Sequence, residues 1–214
     1  PAMSKSNQFS RRNQAKKSQA KKILVVCEGK KTEVNYFDAI RQARNIPREQ
    51  IVVKPARYGT HPKNVIDSAL TEAEGENFDA VYIVFDRDQH KDKEGQFRQH
   101  LTKIEQMNKS KSWDKTRFSA ILSIPCFELW LVLHFVKVNG VRTSDEMEKL
   151  LKHPDRLPNY DKSEVNHYDK TKHKINDAEK NAQSLRDEHD RDHLEIDKYC
   201  YTNVDLLVRT LENF

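Results

Sequence analysis

Two short, uninterrupted apolar runs constrain this chain more than any other feature: Ile23-Leu-Val-Val26 and Ala80-Val-Tyr-Ile-Val-Phe85, each leading into acid. A strand that is apolar at every position is buried on both faces, which happens where helices cover a parallel sheet on both sides. The first run passes through Cys27 to Glu28 and Gly29; the second enters Asp86-Arg-Asp88 directly. In open sheets of this class, ligands gather outside the carboxyl ends of the strands. Glu28, Asp86 and Asp88 are therefore the first places to look for chemistry.

The pattern between and after these runs is consistent with such a sheet. Thr32 offers an N-cap hydroxyl, and Val34, Phe37 and Ile40, with Tyr36 beside them, form an apolar helical face ending near Asn45-Ile-Pro47. Ile51-Val-Val53 predicts a second strand. His61-Pro62 opens a second helix, with Val65, Ile66, Ala69 and Leu70 along one side and Gly75 to stop it. An exposed helix is expected over about 94–107, and a fourth strand over Phe118–Ile124. Alternation of this kind implies β-α-β units joined by right-handed crossovers.

Beyond Pro125 the pattern changes. Phe127–Val136 is apolar on nearly all sides, interrupted by Glu128 and His134, and predicts a buried helix. No further strand is expected. Met147–Leu151 belongs to a short helix and Leu157–Tyr160 to an irregular link. Ile175, Ala178, Ala182 and Leu185 fit a charged amphipathic helix, and Val204, Leu207, Val208 and Leu211 line a closing one. The expected organisation is a basic flexible arm over 1–22, an α/β domain over 23–126 and a helical extension over 127–214.

Composition bears on partners and compartment. No apolar run approaches the roughly 20 residues of a membrane helix, and the N-terminus has no signal-peptide apolar region. Cys27, Cys126 and Cys200 are far apart with no Cys-x-x-Cys spacing, so neither a zinc ribbon nor a disulfide framework is indicated. A soluble, cytoplasmic protein is the expectation. The net charge of +5 is unevenly spread: residues 1–22 hold seven bases and no acid, leaving 31 bases against 33 acids on the rest. Lys16, Lys17, Lys21 and Lys22 in this arm, with Arg87 between the two aspartates, are the candidate nucleic-acid contacts, since a basic arm attracts phosphate backbones without sequence preference. A solvated tail is the bland alternative.

If the two acid-tipped strands are parallel neighbours, Glu28, Asp86 and Asp88 converge on one edge. Three carboxylates so placed repel one another unless a cation is present, and an oxygen-only donor set favours Mg²⁺ or Mn²⁺ over zinc. Glu33 could join from the first turn of its helix. Taken singly, each acid is better explained as turn chemistry or as a helix N-terminal carboxylate.

The combination resembles a known family. A strand-Glu-Gly turn, followed 58 residues later by strand-Asp-x-Asp, is similar to the Toprim domain of topoisomerases, bacterial primases, and OLD-family and recombination nucleases. More closely, Val26-Cys-Glu-Gly-Lys-Lys-Thr-Glu33 with Asn35-Tyr-Phe37, then Asp86-Arg-Asp88, then Pro125-Cys-Phe-Glu-Leu-Trp130 and Leu133-His-Phe135, resemble RloB-like proteins in order and spacing. The resemblance implies a Toprim-like α/β fold in which Glu28 is a general acid or base and Asp86 and Asp88 bind magnesium. It further implies a metal-dependent nuclease acting on DNA or RNA, tRNA included. The setting would be bacterial anti-phage defence, beside an ABC- or AAA-type ATPase partner. Glu33 departs from the pattern: OLD-type sequences have an acid four residues after the first Glu, and here the spacing is five. The reading from another class is a non-catalytic nucleic-acid-binding or ATPase-docking module with a relic site.

Secondary candidates surround this core. Glu128, in an apolar helix, must find a metal, a base or backbone donors, because a buried carboxylate without partners costs several kcal/mol. Lys30 and Lys31 could hold a scissile phosphate or stay in solvent. His134 fits a satisfied core histidine better than a catalyst. His189 and His193 have the i, i+4 spacing of two zinc ligands but lack the accompanying Glu and a third ligand. Tyr160-Asp-Lys162 and Tyr168-Asp-Lys170 could stack on bases and touch phosphates, or could anchor a flexible link.

Overall fold

The computed structural model describes residues 21–87, 96–192 and 199–214. Its centre is a five-stranded sheet: β1 (Ile23–Cys27), β2 (Ile51–Pro55), β3 (Ala80–Asp86), β4 (Arg117–Ile124) and β5 (Tyr201–Thr202), in the order β2-β1-β3-β4-β5. The first four run parallel and β5 pairs antiparallel with β4. β1 is buried at all five positions, as its unbroken apolar sequence requires. Its side chains alternate between two cores. Ile23, Val25 and Cys27 pack with Tyr36, Phe37 and Ile40 of α1 (Thr32–Ala43), whereas Leu24 and Val26 pack with Val65, Ile66 and Ala69 of α2 (Pro62–Ala73). The expected mixed α/β architecture, a mostly parallel sheet flanked by helices with helices at its C-terminal end, is what the chain adopts.

Four local expectations are corrected. Thr32 does not cap its own helix; its hydroxyl donates to the Lys162 carbonyl oxygen at 3.0 Å, and Lys31 stands at the N-cap without a side-chain hydrogen bond. The helix expected to be exposed, α3 (Gln96–Met107), buries Phe97, Ile104 and Met107 against the α2 face of the sheet. The apolar helix expected over Phe127–Val136 is a six-residue element, α4 (Glu128–Leu133), with every residue buried. A strand does exist beyond residue 126: β5 is two residues long, too short for any periodicity to announce it, and is held by Ser123 and Ile124 of β4.

The C-terminal half covers the α1 side of the sheet. It comprises α5 (Ser144–Leu151), α6 (His167–Thr171), α7 (Ile175–Asp192) and α8 (Val204–Glu212). α4 packs against α5 and α7, and α1 against α6 and α8. One continuous apolar cluster runs from Ile23 through Trp130 and Leu185 to Leu211. The α5 start is fixed by a capping box between Thr143 and Glu146. No helix among the described residues is long and apolar enough to cross a membrane.

Candidate active site

β1 is followed by β2 on one side, while β3 lies on its other side, so the strand order reverses between β1 and β3. Connections leave in opposite directions at such a point and open a crevice at the carboxyl edge. Glu28 stands in it. Its amide continues the ladder one residue past β1 by donating to the Val84 carbonyl at 2.8 Å, and its Oε2 accepts from the Asp86 amide at 2.8 Å. The glutamate therefore reaches across the gap between the two strands, and its position is set by backbone.

Gly29 makes room for a second acid. A Cβ there would lie 2.1 Å from Oε2 of Glu33. With no side chain in the way, the Glu33 carboxylate folds back over the turn and accepts from the Gly29 amide at 3.2 Å. Glu33 is 6% exposed. Burial raises its carboxyl above the ordinary range, and Glu128 adds to that, while the amides of Glu33 and Gly29 pull the other way.

Asp86, the last residue of β3, is pushed well above the usual carboxylate range, first by burial and then by the charges of Glu33, Glu28 and Glu128. A bond from the Phe127 amide does not offset this. Its Oδ1 is buried and has no hydrogen-bond partner. Glu128, the first residue of α4, is treated differently. Burial pushes its carboxyl up, but a 2.7 Å bond from the Tyr160 hydroxyl and the Lys162 ammonium 3.2 Å away outweigh it and leave the group below its ordinary value.

These side chains face one cavity of about 460 Å³. Glu28, Glu33, Asp86 and Glu128 supply its acids and Lys30, Lys31 and Lys162 its bases; Thr60, from the β2–α2 loop, also lines it. The acids come from three separate stretches of chain, the β1–α1 turn, the end of β3 and the start of α4. Among the described residues, no three Asp, Glu, His or Cys side chains form a ready-made metal cluster. Asp88 lies outside the described residues.

A family model described as RloB-like protein matches residues 23–211. The chain belongs to the RloB-like family. The match begins at the first residue of β1 and ends within α8, so among the described residues it spans the whole sheet and all the helices up to the end of α8. No curated protein and no solved structure matches the chain.

Within this RloB-like fold the anticipated basic residues part company with the acids. Lys30 and Lys31 are exposed at the cavity mouth. Lys21 and Lys22 sit at the opposite, amino edge, about 16 Å away along a five-residue strand. There Lys22 pairs with Glu76, its amide donates to Asp79 at 2.7 Å, and its ammonium lies 4.6 Å from the centre of the Phe78 ring. Arg87 follows Asp86 with its guanidinium 5.1 Å from the Phe97 ring centre. Lys16 and Lys17 lie outside the described residues.

The histidines and tyrosines are structural. His134 is buried, with Nδ1 2.9 Å from the Trp130 carbonyl, and burial lowers its pKa to about 4. His189 is buried with Nε2 3.0 Å from the Cys200 carbonyl, which excludes that nitrogen as a zinc ligand; His193 lies outside the described residues. Tyr160 and Tyr168 are 4% and 3% exposed, so neither is a base-stacking platform. They are anchors: Tyr160 donates to Glu128 and Tyr168 to Glu212 at 2.5 Å. Sequence reasoning missed Tyr160 and Lys162 as parts of the acidic cavity. Their Tyr-x-Lys spacing was visible, but nothing in it pointed to an acid more than 30 residues upstream.

Proposed function

We propose that the carboxyl-edge cavity is the active site of a metal-dependent phosphodiesterase, a Toprim-like nuclease acting on DNA or RNA. One observation carries the reading: four carboxylates from three chain segments face one cavity, and the most crowded of them, Asp86, keeps a buried oxygen without a partner. Folding has gathered negative charge against its own electrostatic cost, which is a common signature of a functional site. The donor set, oxygen only, suits Mg²⁺ or Mn²⁺. Asp86 and Asp88 would hold the ion, with Glu33 or Glu128 beside them. Such an ion supplies charge for the phosphate oxygens and a lowered pKa for bound water.

The chain's own residues divide the remaining work. Glu28 is fixed by the Asp86 amide, which sets its carboxylate between the two strands to take a proton from the attacking oxygen or return one to the leaving oxygen. The lysines lining the same cavity offset the charge of the phosphate. Charged side chains line most of the cavity, which suits a polyanionic backbone. By resemblance, an ATPase partner and a role in anti-phage defence complete the reading.

Glu28→Gln is expected to lower cleavage of plasmid or total RNA by about 10²–10⁴-fold or more with an unchanged circular dichroism spectrum. The assay is run with and without any ATPase encoded beside the gene. Calorimetric titration of Mn²⁺ should show binding that Asp86→Asn weakens. Retained cleavage in Glu28→Gln would overturn the assignment of Glu28, whereas no cleavage by wild type together with Mn²⁺ binding indifferent to Asp86 would leave a non-catalytic nucleic-acid-binding or ATPase-docking module as the better reading.

A further inference from the structure

One cation already sits against the acids of the cavity, and it belongs to the chain. The Lys162 ammonium is 3.2 Å from Glu128 Oε1, the same oxygen that accepts from Tyr160. The backbone beneath it is tied down: the Thr32 hydroxyl donates to the Lys162 carbonyl at 3.0 Å, and His167 Nε2 lies 2.9 Å from the Asp161 carbonyl. The tip is not tied down, since the Lys162 side chain is 58% exposed whereas that of Glu128 is 5% exposed. A fixed root with a flexible four-carbon stem lets the ammonium leave Glu128 while the strap stays in place. Glu128 can release it only if another positive charge arrives, because a buried carboxylate left with neutral donors alone is costly.

We propose that Lys162 is an exchangeable cation: it rests on Glu128 in the free protein and transfers to a phosphate oxygen of the substrate when a divalent ion takes up charge at the carboxylates. This rests on the phosphodiesterase reading. It separates Lys162 from Lys30 and Lys31, which stand on the exposed turn, where the charge of Lys31 acts on Asp161. It also predicts effects of opposite sign on the two ligands. Lys162 competes with the metal for Glu128 and helps the polyanion.

The test uses the full chain. Mn²⁺ binding is measured by calorimetry without substrate, and should tighten about fivefold or more in Lys162→Met. Binding of fluorescent single-stranded DNA and RNA 20-mers is then measured in Mn²⁺ across a salt series, in a Glu28→Gln background so that nothing is cleaved. Lys162→Met should weaken binding and flatten the plot of log affinity against log salt by about 0.7–0.9, the loss of one phosphate contact, while Lys162→Arg keeps the slope. A lysine that merely braces the loop would change affinity with the slope intact. An unchanged slope, or Mn²⁺ binding that is unchanged or weaker in Lys162→Met, overturns the exchange and leaves the phosphodiesterase reading standing. Failure of the Glu28→Gln protein to bind any of the oligonucleotides removes that reading and the exchange with it.

Discussion

Asp205, at the start of α8, is wholly buried and Asp86, at the end of β3, is half-buried, and the protein treats them oppositely. Asp205 is wholly buried, and Arg186 grips it with two parallel bonds of 2.6 and 2.8 Å while also donating to the Thr202 carbonyl. Its charge is matched by geometry within the helical layer. Asp86 faces three other carboxylates and keeps an oxygen without a partner. The same chemical group is thus a fastener in one region and a source of electrostatic cost in the other. A buried acid matched by a fork-shaped base needs nothing from outside the chain, whereas an acid placed among acids must take up a proton or a cation.

The sharpest way to break that contrast is to remove the fastener. Asp205→Ala leaves the Arg186 guanidinium, whose side chain is 12% exposed, without its counter-charge. The expected loss is about 3–5 kcal/mol of unfolding free energy, read from urea denaturation. A loss below about 1 kcal/mol would mean that the pair is as weak as a surface salt bridge, and the distinction between the two regions would fail.

This contrast also marks how far the sequence could be read. Ile23–Val26 and Ala80–Phe85 disclosed two buried strands because a run apolar on both faces has few other uses in a polar chain. Glu28 and Asp86 then followed from the rule that sites lie at carboxyl ends, and the register of β1 with β3 places them as neighbours. Glu33 was harder, because its spacing from Glu28 departs from the OLD-type pattern. What admits it is Gly29, whose missing side chain leaves the space its carboxylate fills. Tyr160, Lys162 and the Arg186–Asp205 pair were illegible. Each depends on a contact made by tertiary packing between segments with no shared periodicity. β5 was illegible for the same reason: two residues have a partner strand but no pattern.

Glu128 sharpens the comparison, since it lies in the acidic cavity yet is partnered like Asp205. Tyr160→Phe removes the 2.7 Å bond to a carboxylate whose side chain is 5% exposed. The expected cost is about 1.5–3 kcal/mol at neutral pH, the range for hydrogen bonds to charged groups. Because the folded Glu128 carboxyl lies below its unfolded value, the stability it contributes is present above the ordinary glutamate pKa and is lost as pH falls through the folded one. In Tyr160→Phe that contribution should shrink, so wild type and variant converge toward acid. Parallel denaturation curves at neutral and acidic pH check this; a gap that widened toward acid would show that the bond does not favour the ionised carboxylate.

Asp86→Asn is the smallest of these effects and carries the opposite sign. A carboxyl raised in the folded state binds its proton more tightly there than in the unfolded chain. Stability in EDTA therefore falls as pH rises from the ordinary aspartate value through the raised folded one. The amide replaces the charge, keeps an oxygen for the Phe127 amide, and removes the repulsion from Glu33, Glu28 and Glu128. Asp86→Asn should consequently be more stable than wild type by about 1–2 kcal/mol at neutral pH, with the advantage disappearing toward acid. Saturating Mn²⁺ should reverse the order, because a ligand that binds only the folded wild type raises its stability by about 2.7 kcal/mol at a hundredfold excess over its Kd. Melting temperatures of the two proteins, with EDTA and with Mn²⁺, decide the matter. A variant less stable than wild type in EDTA at neutral pH would mean that Asp86 is held by the fold as Asp205 is, and that the crowding of carboxylates at the carboxyl edge costs the free protein nothing.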